Sequence, residues 1–461
     1  MLAKQQGTAQ TWAQALASYQ DIRLLWIFFM GCASGFPWVL IGSNMSGWLN
    51  DAGLSRAAIG YFGSVFIVYA LNFLWAPLLD RVKLPILYSR MGQRRSWIFL
   101  MQLIILLATL AIAFTNPSQS LLFTSILAMT IALASSTQDV AIDAYRIDII
   151  GDDKVRLAPA AAMAVIGWWT GYSLPGYLAF SNANAFGWPA VYLGMAAIVG
   201  LLMLFTLIVK EPANRREQLQ QHAAMLYQQQ LGDVGKNRLV VWLTVTVVEP
   251  FAEFFRRNGW QLALAILSFV FLFKLGEAFL GRMSIQFYRE VGFSNEQIAD
   301  YSKLIGWFAT IVFTLIGSAI NLRFGIIRGL MIGGIAMAGS NLMFAWIALA
   351  GPKPELFIAA ILVDNFTTAF STVAFVSFLT FLTGKAFSAT QYALLASLGN
   401  LGRTTMASFS GELVDALAGN WSVFFVITAL MVVPSLLLLL WLGKRLVKQQ
   451  QDDNNISSNG Q

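Results

Sequence analysis

Two aspartates and an arginine stand where an apolar segment leaves little room for charge. Asp139, Asp143 and Arg146 follow directly on the apolar run from Leu121 to Leu133, with no glycine or proline between. The i,i+4 spacing puts both carboxylates on one helix face, and Arg146, three residues past Asp143, can reach back to it. A charge at the bilayer centre costs about 2.5–3.5 kcal/mol on insertion scales, so such groups rarely persist without a role. Two carboxylates on one face can take up and release protons, with Asp139, the deeper one, as the coupling group. Asp143, within reach of Arg146, reads also as part of a gate. Asp148 falls beyond the apolar stretch and is left out of this set.

Other apolar segments carry the acids Glu277, Asp364 and Glu412 and the bases Lys274, Arg282, Lys303 and Arg403. With Asp139, Asp143 and Arg146, acids and bases balance, as expected of a chain that pairs its buried ions. Lys274 and Glu277 are i,i+3 and can pair locally; Arg403 has no acid nearby in sequence and needs another helix or a ligand. These groups read either as internal salt bridges or as contacts for an ionic cargo. The candidate cargo contacts are Lys274, Glu277, Arg403, Asp364 and the polar Gln138, Asn365 and Gln391. Trp168 and Trp169 join them, since an aromatic face suits the apolar face of a sugar ring. Gly31, Gly35, Gly167, Gly171 and Gly176 are expected to let helices approach closely.

A single Cys32 and a single His222 exclude a disulfide framework and metal-ligand spacing, and leave little for acid–base catalysis. An enzyme is therefore not expected, and neither is a cofactor beyond the proton as coupling ion.

The elements that must position these residues follow from composition. The chain is 57% hydrophobic and 11% charged, with mean hydropathy +0.64, against about 25% charged residues in a soluble domain. It is an all-α polytopic membrane protein. The net charge of +7 is spread over alternate loops, which is a topology signal and not a nucleic-acid surface. Twelve segments are long enough to span: about 24–46, 56–79, 96–115, 120–146, 157–181 and 188–209, then 260–288, 295–321, 325–350, 355–384, 388–416 and 420–443. With both termini inside, most of the 30 Lys and Arg fall on the cytoplasmic side and only Arg56, Arg289 and Lys353 on the outer side.

The domain plan is a cytoplasmic N-terminal segment (1–22), a six-helix bundle (23–209), a cytoplasmic linker (210–259), a second bundle (260–445) and a disordered tail (446–461). The linker ends in an amphipathic stretch, Glu249 to Arg257, expected to lie on the membrane surface. Two stretches repeat. Gly187-Trp188 through Tyr192 resembles Asn420-Trp421 through Phe425, and Leu54 to Gly60 resembles Phe293 to Ala299, each at the same place in its half. Two parallel six-helix halves with a central linker form the major facilitator superfamily fold, twelve transmembrane helices in two pseudo-symmetric bundles. Asp80-Arg81 with Gly92-Gln-Arg94-Arg95 resembles the loop motif of that superfamily, a latch for the outward-facing state. On that likeness Asp80, Arg81, Arg94 and Arg95 are the gating set, and Arg146 joins it through its reach to Asp143.

More specifically, Ala33-Ser-Gly35-Phe-Pro37, Phe73 to Arg81, Ser136-Thr-Gln138-Asp139 to Ala144, Phe273-Lys274-Leu-Gly276-Glu277-Ala-Phe279 and Phe387-Ser-Ala-Thr-Gln391 resemble AmpG-type muropeptide permeases. The likeness runs from about residue 23 to 445; some members have two further C-terminal helices. It implies proton-driven import of N-acetylglucosaminyl-1,6-anhydro-N-acetylmuramyl peptides across the bacterial inner membrane for peptidoglycan recycling, with a link to β-lactamase induction. The implied partners are that substrate and membrane lipid, with no nucleic acid, and the protein is expected to act as a monomer. Lys274 and Arg403 would meet the peptide's carboxylates. The alternatives are a related carrier of another cargo, such as acetyl-CoA or a peptide, and, more distantly, a multi-spanning enzyme or receptor.

Overall fold

In a computed structural model, residues 18–54, 62–117, 119–151, 153–212, 248–293, 297 and 306–445 are described. Most of the N-terminal segment and of the linker, His222, Lys303 and the C-terminal tail lie outside these residues.

The described residues form helices throughout. In chain order they are α1 (Ile22–Leu49), α2 (63–81), α3 (Gln93–Ala113), α4 (Leu121–Ile150), α5 (157–186), α6 (188–208), α7 (Trp260–Val291), α8 (Gly306–Phe324), α9 (Ile326–Ala350), α10 (Pro354–Leu382), α11 (Ser388–Ala407) and α12 (Trp421–Arg445). Eight continuous helices among the described residues are long and apolar enough to cross a membrane, the α5–α6 pair counting as one; α2 and α8 add shorter apolar pieces. Large apolar side chains such as Leu204, Ile208, Leu349 and Leu437 lie exposed on their surfaces, as a lipid-facing helix requires. The linker's amphipathic stretch is helical from Glu249 to Asn258.

Local sequence explains the irregular points. Asp21 caps α1, its carboxylate accepting from Arg23 N at 2.9 Å. Pro37 removes one backbone donor inside α1, and a π turn follows over Leu40–Asn44. α2 is broken by 3-10 turns at Gly63–Phe66 and Asn72–Leu74 and resumes at Ala76 with Pro77 in its first turn. The loop expected over 182–187 is reduced to Gly187 (φ 77°, ψ 157°), because the Asn-Ala-Asn-Ala-Phe stretch continues α5. α7 breaks at Lys274 (φ −100°, ψ 10°).

The chain clusters into two compact units. Among the described residues, one comprises 19–253 together with 382–397, and the other comprises 254–381 with 398–445. α11 is therefore divided, its first turns belonging with the N-terminal unit. The N-terminal core is built on Phe36, Ile41, Trp48, Ile105, Ile131 and Tyr192; the C-terminal core is aromatic, with Phe287, Phe344, Phe357 and Phe425. Inside the N-terminal unit α1 and α5 touch backbone to backbone. A Cβ on Gly35 would stand 2.1 Å from the Trp168 carbonyl oxygen, and one on Gly171 would stand 2.1 Å from that of Cys32. The glycines are contact surface, as their spacing suggested.

The internal repeat reappears as matching hydrogen bonds. Trp188 Nε1 donates to Asp51 Oδ2 at 2.7 Å, tying α6 to the end of α1. Trp421 Nε1 donates to Glu290 Oε2 at 2.7 Å, tying α12 to the end of α7. The offset from Asp51 to Glu290 equals that from Leu54 to Phe293, and both helix ends are closed by a glycine at positive φ, Gly53 and Gly292. The two halves share a frame.

Candidate functional site

Two clusters of charge lie inside the units, and a third network lies at one end of the N-terminal unit. In the first cluster, α4 carries Asp139, Asp143 and Arg146. Arg146 Nη2 donates to Asp143 Oδ1 at 2.9 Å, the i,i+3 pair its spacing allows, and its guanidinium lies over the Tyr392 ring at 4.9 Å. Arg146 is buried, while the Asp143 side chain is one-third exposed. Asp139 is half-buried and accepts from Ser34 Oγ on α1 at 2.7 Å. Trp38 and Tyr69 flank it. These two rings belong to an aromatic wall: Trp38 stacks on Phe66 (4.7 Å), packs against Tyr69 (4.4 Å) and meets Trp168 edge-on (5.9 Å), and Trp168 stacks on Tyr172 (5.4 Å, 9°). Trp168 is half-buried within the wall and Trp169 is exposed at its margin. Gln138 points elsewhere. It is fully buried and donates to the Ala33 carbonyl at 2.7 Å, fastening α4 to α1.

The second cluster sits in the C-terminal unit where α7 breaks. Lys274 is buried; its Nζ donates to Glu277, to Ser371 Oγ at 2.8 Å and to Thr372 Oγ1 at 3.0 Å. Asp364 on α10 is half-buried and accepts from Ser340 Oγ on α9 at 2.9 Å. Arg403 on α11 is exposed and close enough to act electrostatically on Lys274. Asn365 is taken up by packing, accepting from Thr310 Oγ1 at 2.9 Å and donating to the Ile361 carbonyl at 2.8 Å.

The network occupies the end of the N-terminal unit where α2 and α4 finish and α3 begins. Arg94 is fully buried. Its Nε donates to Asp148 Oδ2 (2.8 Å), and its Nη2 donates to Asp80 Oδ1 (2.8 Å) and Ser388 Oγ (2.8 Å). Asp80 also accepts from Thr390 N (2.9 Å), Thr390 Oγ1 (2.7 Å) and Ala389 N (3.3 Å), so its carboxylate satisfies first-turn amides of α11. Ser388 Oγ donates to Asp148 Oδ1 at 2.8 Å and closes the ring. Asp148, which sequence spacing put outside the functional set, is buried at its centre. Removing one partner of such a buried ion pair costs about 3–5 kcal/mol, because the other charge is left uncompensated.

Glu211, just past α6, caps α3 from outside. Its carboxylate accepts from Arg94 N at 2.8 Å and Arg95 N at 3.1 Å, in place of a residue at the helix's own N-cap. The N-cap itself is Gly92 (φ 81°), where a Cβ would fall 2.4 Å from the Glu211 side chain. Arg95 returns the contact, donating to the last carbonyls of α6, Thr206 O (3.0 Å) and Leu207 O (2.6 Å). Arg81 is half-buried at the end of α2. Gln391 is buried; it donates to the Pro250 carbonyl (2.8 Å) and to Glu253, and accepts from Gly384 N (2.7 Å), fixing the turn before α11. Asp148, Glu211, Ser388 and Thr390 are the residues that sequence reasoning missed. The Ser-Ala-Thr-Gln motif contained two of them, without a partner to show their purpose.

With this geometry in hand, the comparisons with known proteins place the chain. Residues 27–403 match the family model of the Major Facilitator Superfamily. In fold the chain is similar to the proton:xylose symporter XylE, with a TM-score of 0.63 over 92% of this chain and 95% of that one at 14% identity. It is a transporter of the major facilitator superfamily. Over 93% of its length it is 35% identical to a putative transporter AmpG 4 of Rickettsia felis, covering 98% of that protein. Over the same share it is 32% identical to the anhydromuropeptide permease of Escherichia coli, covering 81% of it. The chain belongs to the AmpG-type permeases of that superfamily.

Proposed function

We propose that this protein is a proton symporter that imports N-acetylglucosaminyl-1,6-anhydro-N-acetylmuramyl peptides across the bacterial inner membrane, both termini in the cytoplasm. Its relatives supply the cargo class: one of them, alike over nearly the whole chain, is an anhydromuropeptide permease. The observation that carries the coupling is Asp139. It is a half-buried carboxylate on a membrane helix with a serine hydroxyl as its hydrogen-bond partner, while the neighbouring arginine is spent on Asp143. An ionised carboxylate in such a place is costly, and a proton removes that cost. Open to the periplasm, Asp139 takes a proton as cargo binds; the halves rock, and proton and cargo leave inside.

The aromatic wall of Trp38, Trp168 and Tyr172 offers flat faces to the two sugar rings. Arg403, exposed beside the Lys274–Glu277 pair, offers a cation to the stem peptide. The Asp80–Arg94–Asp148 network is the cytoplasmic latch, made when the transporter faces outward. In a bacterium with an inducible β-lactamase the imported cargo would supply the inducing signal.

Uptake of labelled anhydro-muropeptide into proteoliposomes tests this. An uncoupler is expected to abolish accumulation, and Asp139→Asn is expected to lose its response to an imposed pH gradient. A full response in that variant rules out the assigned role. Saturating anhydro-muropeptide should stabilise the purified protein by about 2.7 kcal/mol at a hundredfold excess over Kd. Stabilisation by acetyl-CoA or by plain peptide in its place would move the cargo assignment to a related carrier.

A further inference from the structure

The cations inside the two units are not shared evenly among the acids. In the N-terminal unit Arg146 pairs with Asp143 and faces Tyr392, which leaves Asp139 with Ser34. In the C-terminal unit Lys274 pairs with Glu277 and two hydroxyls, which leaves Asp364 with Ser340. Among the described residues neither Asp139 nor Asp364 has a cation at ion-pair distance.

The groups that face Asp364 can be named from each neighbouring element. α7 contributes Lys274, Glu277 and Tyr288; α9 contributes Ser340; and Arg403 of α11 acts on the same cluster through Lys274. From α8, Thr310 bonds to Asn365. Among the described residues, Lys274 and Arg403 against Glu277 and Asp364 make the empty cluster neutral. A cargo carboxylate placed on Arg403 adds one negative charge to that balance. A proton on Asp364 restores neutrality at the moment the cargo is enclosed.

We propose that Asp364 is a second protonation site, filled together with the cargo's carboxylate, so that each transport cycle carries two protons, one on Asp139 and one on Asp364. Both come from the outer water and both are released to the inner water, with no covalent change in either group. The proposal rests on the proton-symport reading above.

The test is the slope of accumulation against the pH gradient. With the membrane potential clamped at zero, cargo charge drops out, and each coupled proton contributes about tenfold accumulation per pH unit. For labelled N-acetylglucosaminyl-anhydro-N-acetylmuramyl tripeptide in proteoliposomes, the expected accumulation is about a hundredfold per pH unit for the native protein. Asp364→Asn should fall to about tenfold, and Asp364→Glu should keep about a hundredfold. A native slope of tenfold that Asp364→Asn leaves unchanged overturns the second site while leaving symport in place. No dependence on the gradient at all overturns symport and this proposal together. Should Asp364→Asn fail to fold, the native slope decides alone, a tenfold value being fatal.

Discussion

The two halves agree at one end and differ at the other. Where α1 and α7 finish, each half closes with an indole–carboxylate bond of 2.7 Å and a glycine at positive φ. At the α2–α3 turn of the N-terminal unit, Gly92 is followed by Arg94 and Arg95, and both arginines are fully engaged. The corresponding α8–α9 turn of the C-terminal unit has Gly325 at the same φ of 81°, followed by Ile327 and an exposed Arg328. Asn321, in the last turn of α8 as Asp80 is in the last turn of α2, is buried with neither side-chain atom hydrogen-bonded among the described residues. A duplicated frame has kept its packing and has specialised its charges in one half.

Four substitutions probe that contrast, beginning with the largest effect. Arg94→Ala strands Asp80 and Asp148 in a buried site and should destabilise the protein by about 3–5 kcal/mol. Arg328→Ala, at the exposed arginine of the corresponding turn in the other half, should change stability by less than about 0.5 kcal/mol. Denaturation in detergent micelles measures both, and equal losses would abolish the asymmetry. Trp188→Phe and Trp421→Phe should each cost about 0.5–1.5 kcal/mol, and by similar amounts, since each deletes one bond of the same length to an exposed carboxylate. A large difference between them would mean that the repeat is one of sequence alone.

The smallest effect concerns the starts of the same halves. α7 begins at Gly259 without a side-chain cap, whereas α1 begins at Asp21, which Arg23 and Arg156 contact. The hydrogen bond from Arg23 holds the Asp21 carboxyl below its ordinary value of 3.8. A carboxyl lowered on folding stabilises fully above that ordinary value and loses its contribution as the pH falls through the folded one. Melting temperature against pH should therefore drop below about pH 4 in the native protein, with a shallower drop in Asp21→Asn. Parallel curves would show that this cap contributes nothing the α7 start lacks.

Much of this was legible in the chain. The superfamily, the helix count and the AmpG-type likeness rested on apolar runs, a repeat and local motifs, and the comparisons agree with them. The pairs Asp143–Arg146 and Lys274–Glu277 were legible for the same reason: an i,i+3 spacing is decided by helix geometry before any tertiary contact forms. Close packing at Gly35 and Gly171 followed from residue size. Asp80 as a partner of Arg94 was legible from the loop motif, and its other partners were not. Asp148, Glu211 and Ser388 lie far from it in sequence, and only the folded N-terminal unit brings them within 2.8 Å. Likewise the backbone partners of Gln138 and Gln391, Ala33 and Pro250, are distant in sequence and were not legible. The sequence by itself determined which helices form and which charges lie inside them. The tertiary structure decided which of those charges are already paired, because a buried ion's partner is set by where distant helices meet. Asp139 and Asp364 stand out only after that pairing is known.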